Sequence, residues 1–456
     1  MTDGAAKLLT RIVPTLPNDH PFQEVYKRLT DRNQYWTSGQ WMTERPGGSD
    51  VQNTETWATY SPLPNSTNRL DQGDYLVSGF KFFSSATDAD IAVLLAKTSS
   101  GKLSAFLAPL TKIEDDGKTV TNGIRIHRLK QKLGTKQLPT AELELVNARA
   151  HLVGPLDHGV KTISDILNIT RAHAFMGSCA GWRRCMYIAK AFSKSRVTWG
   201  VPLWVLPLHL RTLAELELKL RSCLHLAWFT ISLLSFSENG FPTTSAAPLP
   251  TPDEAGVVLR TLTATTKAVS AKSASAGIQE CMEALGGVGY MDDPDEPENL
   301  ARALRDGNVN TIWEGTTNVL SSEVVRNLQR KNHLQLFSAW LERSISQLQP
   351  EFRDVLQKSW AIVREELGHG LDSLSNGRRI MFSISWVVSG LLSAADAARD
   401  NDEVALELTR RWLSEGGDWL LPGVGKVDRK EVDRTRWDCK IVWGVDLPDI
   451  TQISKI

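Results

Sequence analysis

A chain of 456 residues that is 41% hydrophobic and 23% charged can bury a large core, which excludes disordered and low-complexity classes. Its 52 basic and 52 acidic side chains cancel, so bulk charge gives no reason to bind nucleic acid or an anionic membrane. The five cysteines, Cys179, Cys185, Cys223, Cys281 and Cys439, form no C-x-x-C pair and signal neither a disulfide framework nor a zinc site.

No apolar leader follows Met1, and reduced, buried thiols fit an intracellular, cytoplasmic setting. Residues 1–38 read as short helical pieces interrupted by Pro14, Pro17 and Pro21, too small for a domain and suited to a tail or linker. From 39 to 158 the pattern turns to strands: Asp74–Phe83, Ile91–Ala96, Leu103–Leu107, Ile124–Leu129 and Ala141–Val146. Turn signals separate them at 71–74, 99–102, 115–118 and 122–123, as expected for a β-barrel or small sandwich.

From 159 to 330 apolar residues recur at helical spacing, with Leu213, Leu216, Leu220 and Leu224 forming one stripe. A proline-rich loop covers 237–255, and an Ala/Ser/Thr-rich helix runs from Ala255 to Ala284. This predicts a helical bundle. Residues 331–456 extend it as helix to about 415, followed by Gly416-Gly417 and a sign-alternating cluster, Lys426 to Arg434, that suits a solvated face. The apolar run Ile380 to Ala395 is shorter than the roughly 20 residues of a bilayer span and predicts a buried helix.

Four stretches carry chemistry. Thr43-Glu44-Arg45-Pro46-Gly47-Gly48-Ser49-Asp50 combines hydroxyls with a flexible backbone; it is either a plain turn or a loop approaching a ring or phosphate. Gly286-Gly287-Val288-Gly289 is either a helix C-cap or a set of N–H donors facing a ligand. Arg196, before Trp199-Gly200-Val201-Pro202, is either a solvated residue or a phosphate contact. Glu314, between Trp313 and Gly315, is a surface carboxylate or, if shielded, a base useful near neutral pH. No metal cluster or Gly-x-Ser-x-Gly signature is present in the sequence.

In this order the stretches resemble the acyl-CoA dehydrogenase family, and within it the AidB-like, alkylation-response branch. The likeness is carried by Met42 to Val51, Gly79 to Ser84, Lys130 to Gly134, Thr170-Arg171, Arg196 to Leu203, Glu283 to Tyr290 and Ile312 to Thr316. It implies an α+β fold: a central β-barrel or sandwich domain at 39–158, a C-terminal four-helix bundle at 159–330 and a helical extension at 331–456. Residues 1–38 would then be the remnant of an N-terminal helical domain.

The resemblance further implies FAD. Met42, Thr43, Ser49, Phe83 and Ser85 would line it, Arg196, Glu283, Gly286 and Gly287 would reach the FAD pyrophosphate of a neighbouring subunit, and Thr316 and Asn318 would complete the adenine-side contacts. Glu314 would be the catalytic base, with Arg171 near the reacting centre. The expected activity is α,β-dehydrogenation of an acyl-CoA or related thioester by a homodimer or homotetramer with an unidentified electron acceptor. The competing readings are an AidB-like flavoprotein with a DNA-binding, alkylation-protection role and a truncated, inactive homologue.

Overall fold

The structure, a computed structural model, describes all residues except 243–247, 371, 415–418, 426–433 and 448–456. Gly416-Gly417 and the charged cluster from Lys426, apart from Arg434, lie outside the described residues. The chain divides into two compact units, Met1–Thr170 and Arg171–Ile456.

The first unit begins with α1 (Thr2–Ile12) and α2 (Pro21–Thr30). Nine strands follow: β1 (Ser38–Trp41), β2 (Trp57–Tyr60), β3 (Tyr75–Ser85), β4 (Ile91–Lys97), β5 (Leu103–Pro109), β6 (Thr111–Ile113), β7 (Thr119–Thr121), β8 (Ile124–Leu129) and β9 (Thr140–Val153). β4 pairs with β5, β5 with β9, β9 with β3 and β3 with β2, and β2 returns to β4 at Trp57 and Lys97. Five strands therefore close a ring, which makes the expected barrel-or-sandwich a barrel. β1 adds in parallel to β4 and β8 in antiparallel to β9, while β6 and β7 form a separate hairpin.

The unbroken apolar run in β4 has a simple cause. Successive side chains point to opposite faces, and both faces are covered. Ala92, Leu94 and Ala96 fill the barrel with Trp41, Val77, Phe106 and Leu143. Ile91, Val93 and Leu95 pack outward against Ala5, Leu8 and Leu9 of α1 and Phe22 and Val25 of α2. Residues 1–38 are thus not a trailing linker; their apolar stripes cover one outer face of the barrel.

The second unit is helical. After α3 (Gly159–Thr162), α4 (Ser164–Ser195) crosses the division between the units. Then come a short hairpin of β10 (Val197–Thr198) and β11 (Val201–Pro202), α5 (Pro207–Asn239), α6 (Pro252–Ala284), α7 (Leu300–Asn308) and α8 (Thr317–Leu328). The remaining helices are α9 (His333–Ser346), α10 (Pro350–Leu367), α11 (Asp372–Ser375), α12 (Gly377–Asp400), α13 (Glu403–Ser414) and α14 (Arg434–Trp443). α6 starts in a capping box: the Thr251 side chain accepts from the backbone of Glu254, whose carboxylate accepts from Thr251 N at 2.8 Å.

The sequence division at 330 leaves no mark in the packing. Leu226, Val258, Leu262, Leu320 and Val324 share one core with Trp340, Leu356, Trp360, Ile384, Val387 and Leu391. α12 is long and apolar enough to cross a membrane, but its apolar side chains Ile380, Met381, Ile384 and Val388 are fully buried in this core. A second core joins Phe175, Trp182, Leu213, Ile278 and Leu300 to Ile441 and Val442 of α14. All five cysteines are buried free thiols, and burial pushes Cys185 and Cys223 up to about 11.

Candidate functional site

In the first unit the strand β1 ends at Trp41 and delivers Met42 and Thr43 beside the end of β3. Thr43 bridges Phe83, and its carbonyl accepts from Phe82 N at 2.9 Å. Met42 is buried with the outer core, while the Phe83 ring stays 46% exposed. Thr43 is folded against Gly48: a Cβ at Gly48 would sit 2.9 Å from Thr43 Oγ1. Ser49 is exposed on the same loop. The Ser85 hydroxyl bonds Thr140 Oγ1 at 3.0 Å and its carbonyl accepts from Trp41 Nε1 at 3.1 Å. The neighbouring Ser84 hydroxyl is buried without a partner.

A buried ion pair anchors this loop, and sequence reasoning missed it. Lys81, wholly buried in β3, donates to Glu44 at 2.6 Å and to Leu95 O at 3.0 Å. Glu44, 3% exposed, also accepts from Thr56 Oγ1 at 2.6 Å and Glu55 N at 2.5 Å. Burial alone would raise the Glu44 carboxyl, but Lys81 and these two donors hold it below its ordinary value. Cations crowd the aromatic strand next door: Lys130 Nζ lies 3.3 Å from the Phe82 ring centre and 4.5 Å from that of Phe83. An open cavity of about 560 Å³ lined by Asp19, His20, Trp36, Asn68 and Leu70 contains none of the expected site residues.

In the second unit Glu314 lies in the turn entering α8. It is half-buried and left-handed at φ 56°, and Gly315 follows at φ 102°. Two such residues in succession are uncommon, and for Glu the conformation is strained. Gly315 is required twice over: besides its φ, a Cβ there would meet Leu320 Cδ2 at 2.9 Å. Trp313 does not shield the carboxylate as a buried wall; it is 38% exposed and donates its indole N–H to Asn310 at 2.8 Å.

Arg171 of α4 pairs in bidentate fashion with Glu323 of α8, at 3.1 and 2.8 Å, leaving its Nε buried and without a partner. Lys267 of α6 donates to the Gly315 carbonyl at 2.6 Å. Burial pushes this lysine down to about 8, with Glu314 pulling up and Arg171 pushing down. Lys267 thus bonds the residue after Glu314 and feels the charges of both Glu314 and Arg171, while Arg171 is tied to Glu323; Lys267 and Glu323 were not expected from the sequence. The signal for Lys267 was present: it is the sole charged residue between Arg260 and Lys272.

The remaining expected contacts are spread along this unit. Arg196 is exposed at the mouth of the β10–β11 hairpin, where its carbonyl accepts from Leu203 N at 2.9 Å. Glu283, Gly286 and Gly287 are exposed at the end of α6, with Gly286 at φ 64° capping it as the bland reading foresaw. Thr316 caps α8 without a side-chain bond, and Asn318 Oδ1 accepts from Arg378 Nε at 2.6 Å.

A closed β-barrel that presents a hydroxyl-bearing glycine loop, and a helical unit that presents a Glu–Gly turn, define an acyl-CoA dehydrogenase-like fold. Residues 39–148 match the acyl-CoA dehydrogenase middle domain and residues 157–329 the acyl-CoA dehydrogenase C-terminal domain. Acyl-CoA dehydrogenase family member 11 of Caenorhabditis elegans is 36% identical over 469 residues, spanning 95% of this chain and 71% of that protein. The putative acyl-CoA dehydrogenase AidB of Escherichia coli strain K12 is 29% identical over 403 residues, spanning 84% and 67%. The structure of C. elegans ACDH-11 in complex with C11-CoA superimposes with a TM-score of 0.78 at 35% identity, over 90% of this chain and 70% of that one. A Bacillus anthracis acyl-CoA dehydrogenase complexed with FAD shares the fold, with a TM-score of 0.67 at 18% identity over 89% and 74%. The chain belongs to the acyl-CoA dehydrogenase family.

Proposed function

We propose that this protein is an FAD-dependent oxidoreductase that converts an acyl-CoA to its α,β-unsaturated thioester, with Glu314 as the base. The observation that carries this reading is the Glu314–Gly315 turn, whose strained backbone is held at the Gly315 carbonyl by Lys267. Strain of this kind persists only where surrounding structure enforces it, and it gathers at active sites.

The residues present fit a flavin. A half-exposed Phe83 ring bridged to Thr43 suits a flat aromatic ring, and the exposed Ser49 hydroxyl on the same loop as Thr43 adds a polar group. Arg196 and the exposed backbone at Gly286-Gly287 suit a pyrophosphate. By the family resemblance Met42, Thr43, Ser49, Phe83 and Ser85 would hold the ring side, Arg196, Glu283, Gly286 and Gly287 would reach the pyrophosphate of a neighbouring subunit's FAD, and Thr316 and Asn318 would complete the adenine-side contacts. Bound, the flavin supplies the two-electron acceptor for the hydride leaving the β-carbon.

The chain's own residues do the rest. Glu314 takes the α-proton, and its position on a rigid turn keeps the carboxylate from swinging away from that carbon. Arg171, fixed by Glu323, places positive charge where the enolate-like thioester develops negative charge. A thioester substrate is supported by the C11-CoA complex of the C. elegans relative.

Purified protein should be yellow, and anaerobic addition of an acyl-CoA should bleach the flavin band. Flavin that no chain length bleaches overturns the catalytic reading. Assembly as a homodimer or homotetramer belongs to the same reading, and sedimentation velocity tests it.

A further inference from the structure

We infer that Lys267 is a positioning residue for the Glu314 base, its ammonium fixing the Glu314–Gly315 turn through the Gly315 carbonyl. This rests on the assignment of Glu314 above.

Lys267 is fully buried in the middle of α6, among Thr261, Ala264, Thr265, Ala268 and Ala271. Taking an ammonium out of water costs several kcal/mol, so a helix this poor in charge keeps one only against a strong compensating contact. That contact is a 2.6 Å hydrogen bond to a carbonyl 48 residues away. The carbonyl belongs to the residue immediately after Glu314, at the joint where two left-handed residues turn into α8.

Three features converge on this joint. Glu314 pays backbone strain to hold its φ of 56°, so without a restraint the turn would relax towards a commoner conformation. The Gly315 carbonyl is the atom that moves when the peptide between Gly315 and Thr316 rotates, and Lys267 pins it. Glu314 lies in the field of the same ammonium, which opposes the burial that drives Lys267 towards neutrality. Arg171 adds repulsion but is itself anchored by Glu323, so the two cations keep separate partners. A lysine that served packing alone would be replaced by methionine with little loss. One that pins the turn would not.

The test is a double-mutant cycle on the FAD-loaded, full-length protein with Lys267→Met, Glu314→Gln and the pair, using an eleven-carbon acyl-CoA as the probe. Rapid-mixing flavin reduction gives the rate, thioester titration gives Kd, and amide hydrogen exchange of Gly315 to Asn318 in flavin-free protein gives a readout independent of turnover. We expect Lys267→Met to slow reduction about 100-fold, as an ångström-scale displacement of a reacting group does. Thioester Kd should change by less than about three-fold, and exchange across 315–318 should speed up by about ten-fold or more. In the Glu314→Gln background the same change should cost no more than about two-fold, because there is no longer a base to position.

Near-wild-type reduction in Lys267→Met, unchanged exchange, or an equal 100-fold loss in the Glu314→Gln background each overturns the inference while leaving Glu314 as base. Wild-type reduction by Glu314→Gln overturns the base assignment and the inference with it. If Lys267→Met does not fold, Lys267→Gln, which keeps a shorter donor, is carried through the same cycle and judged by the same criteria, with a smaller loss expected.

Discussion

Glu44→Gln is the substitution whose cost the geometry fixes best. Glu44 receives Lys81, Thr56 Oγ1 and Glu55 N, all within 2.6 Å, at a site 3% exposed. A glutamine amide oxygen at the Oε1 position keeps Thr56 and Lys81 but turns its NH2 group against Glu55 N–H, donor to donor; the flipped amide keeps Glu55 and turns its NH2 group against the Lys81 ammonium. In either orientation Lys81, wholly buried, loses its anionic partner and keeps at most neutral acceptors such as the Leu95 carbonyl. Removing one partner of a buried ion pair costs about 3–5 kcal/mol, far more than a surface pair. Lys81→Met leaves Glu44 with two donors, and the Glu44→Gln/Lys81→Met double variant should be clearly more stable than the sum of the single losses. Urea unfolding followed by far-ultraviolet circular dichroism measures all four corners. Because Thr43 adjoins Glu44, flavin occupancy should fall with stability in Glu44→Gln. A loss under about 1 kcal/mol, or strict additivity, would refute the pair as the anchor of the 43–49 loop.

Three further outcomes are expected. Burial holds Lys267 at about 8 against an ordinary 10.5, so between those values the unfolded chain binds a proton that the folded chain has released. Its penalty is fully present below pH 8 and fades as pH rises, which gives wild type a gain of about 2 kcal/mol from pH 7 to 9.5 that Lys267→Met lacks in paired unfolding titrations. Gly277→Ala would drive a Cβ to 2.1 Å from the Trp182 ring, so calorimetry should show a destabilisation of about 1–3 kcal/mol or more. Asp438, fully buried, binds Arg411 and lies 3.0 Å from Arg211; Asp438→Asn removes the charge that the two guanidinium groups share, leaving Arg411 with Glu407, and limited proteolysis should cut near α14 at least about ten-fold faster.

Local chemistry made much of this legible in sequence. Strands β3, β4, β5 and β8 stand within a few residues of their apolar patterns, and the long helices follow the 3.6-residue repeat. β9 runs to 14 residues where about six were legible, because a left-handed Asn147 at φ 52° and its neighbours disguise the alternation. The role of residues 1–38 was hidden because a short amphipathic helix does not announce which surface it covers; the double-sided run in β4 held that information.

The site divides in the same way. Thr43 and Glu314 stand out in their own stretches, whereas Phe83 and Arg171 are named by the family resemblance alone. Lys81 and Glu44, 37 residues apart, and Lys267 and Gly315, 48 apart, are partners by topology. An isolated lysine in an apolar stretch says only that a partner must exist. Across residue 330, helices on both sides carry apolar stripes, and the stripes interleave into one core that no single stretch of sequence announces.

The claim that organises the account is that Glu314 removes the α-proton. Anaerobic rapid mixing of FAD-loaded Glu314→Gln with an acyl-CoA that bleaches wild type tests it most directly. The account predicts unchanged flavin content, unchanged thioester affinity and a reduction rate lower by about 10³-fold or more, the scale of a lost general base. Reduction within a few-fold of wild type would contradict it.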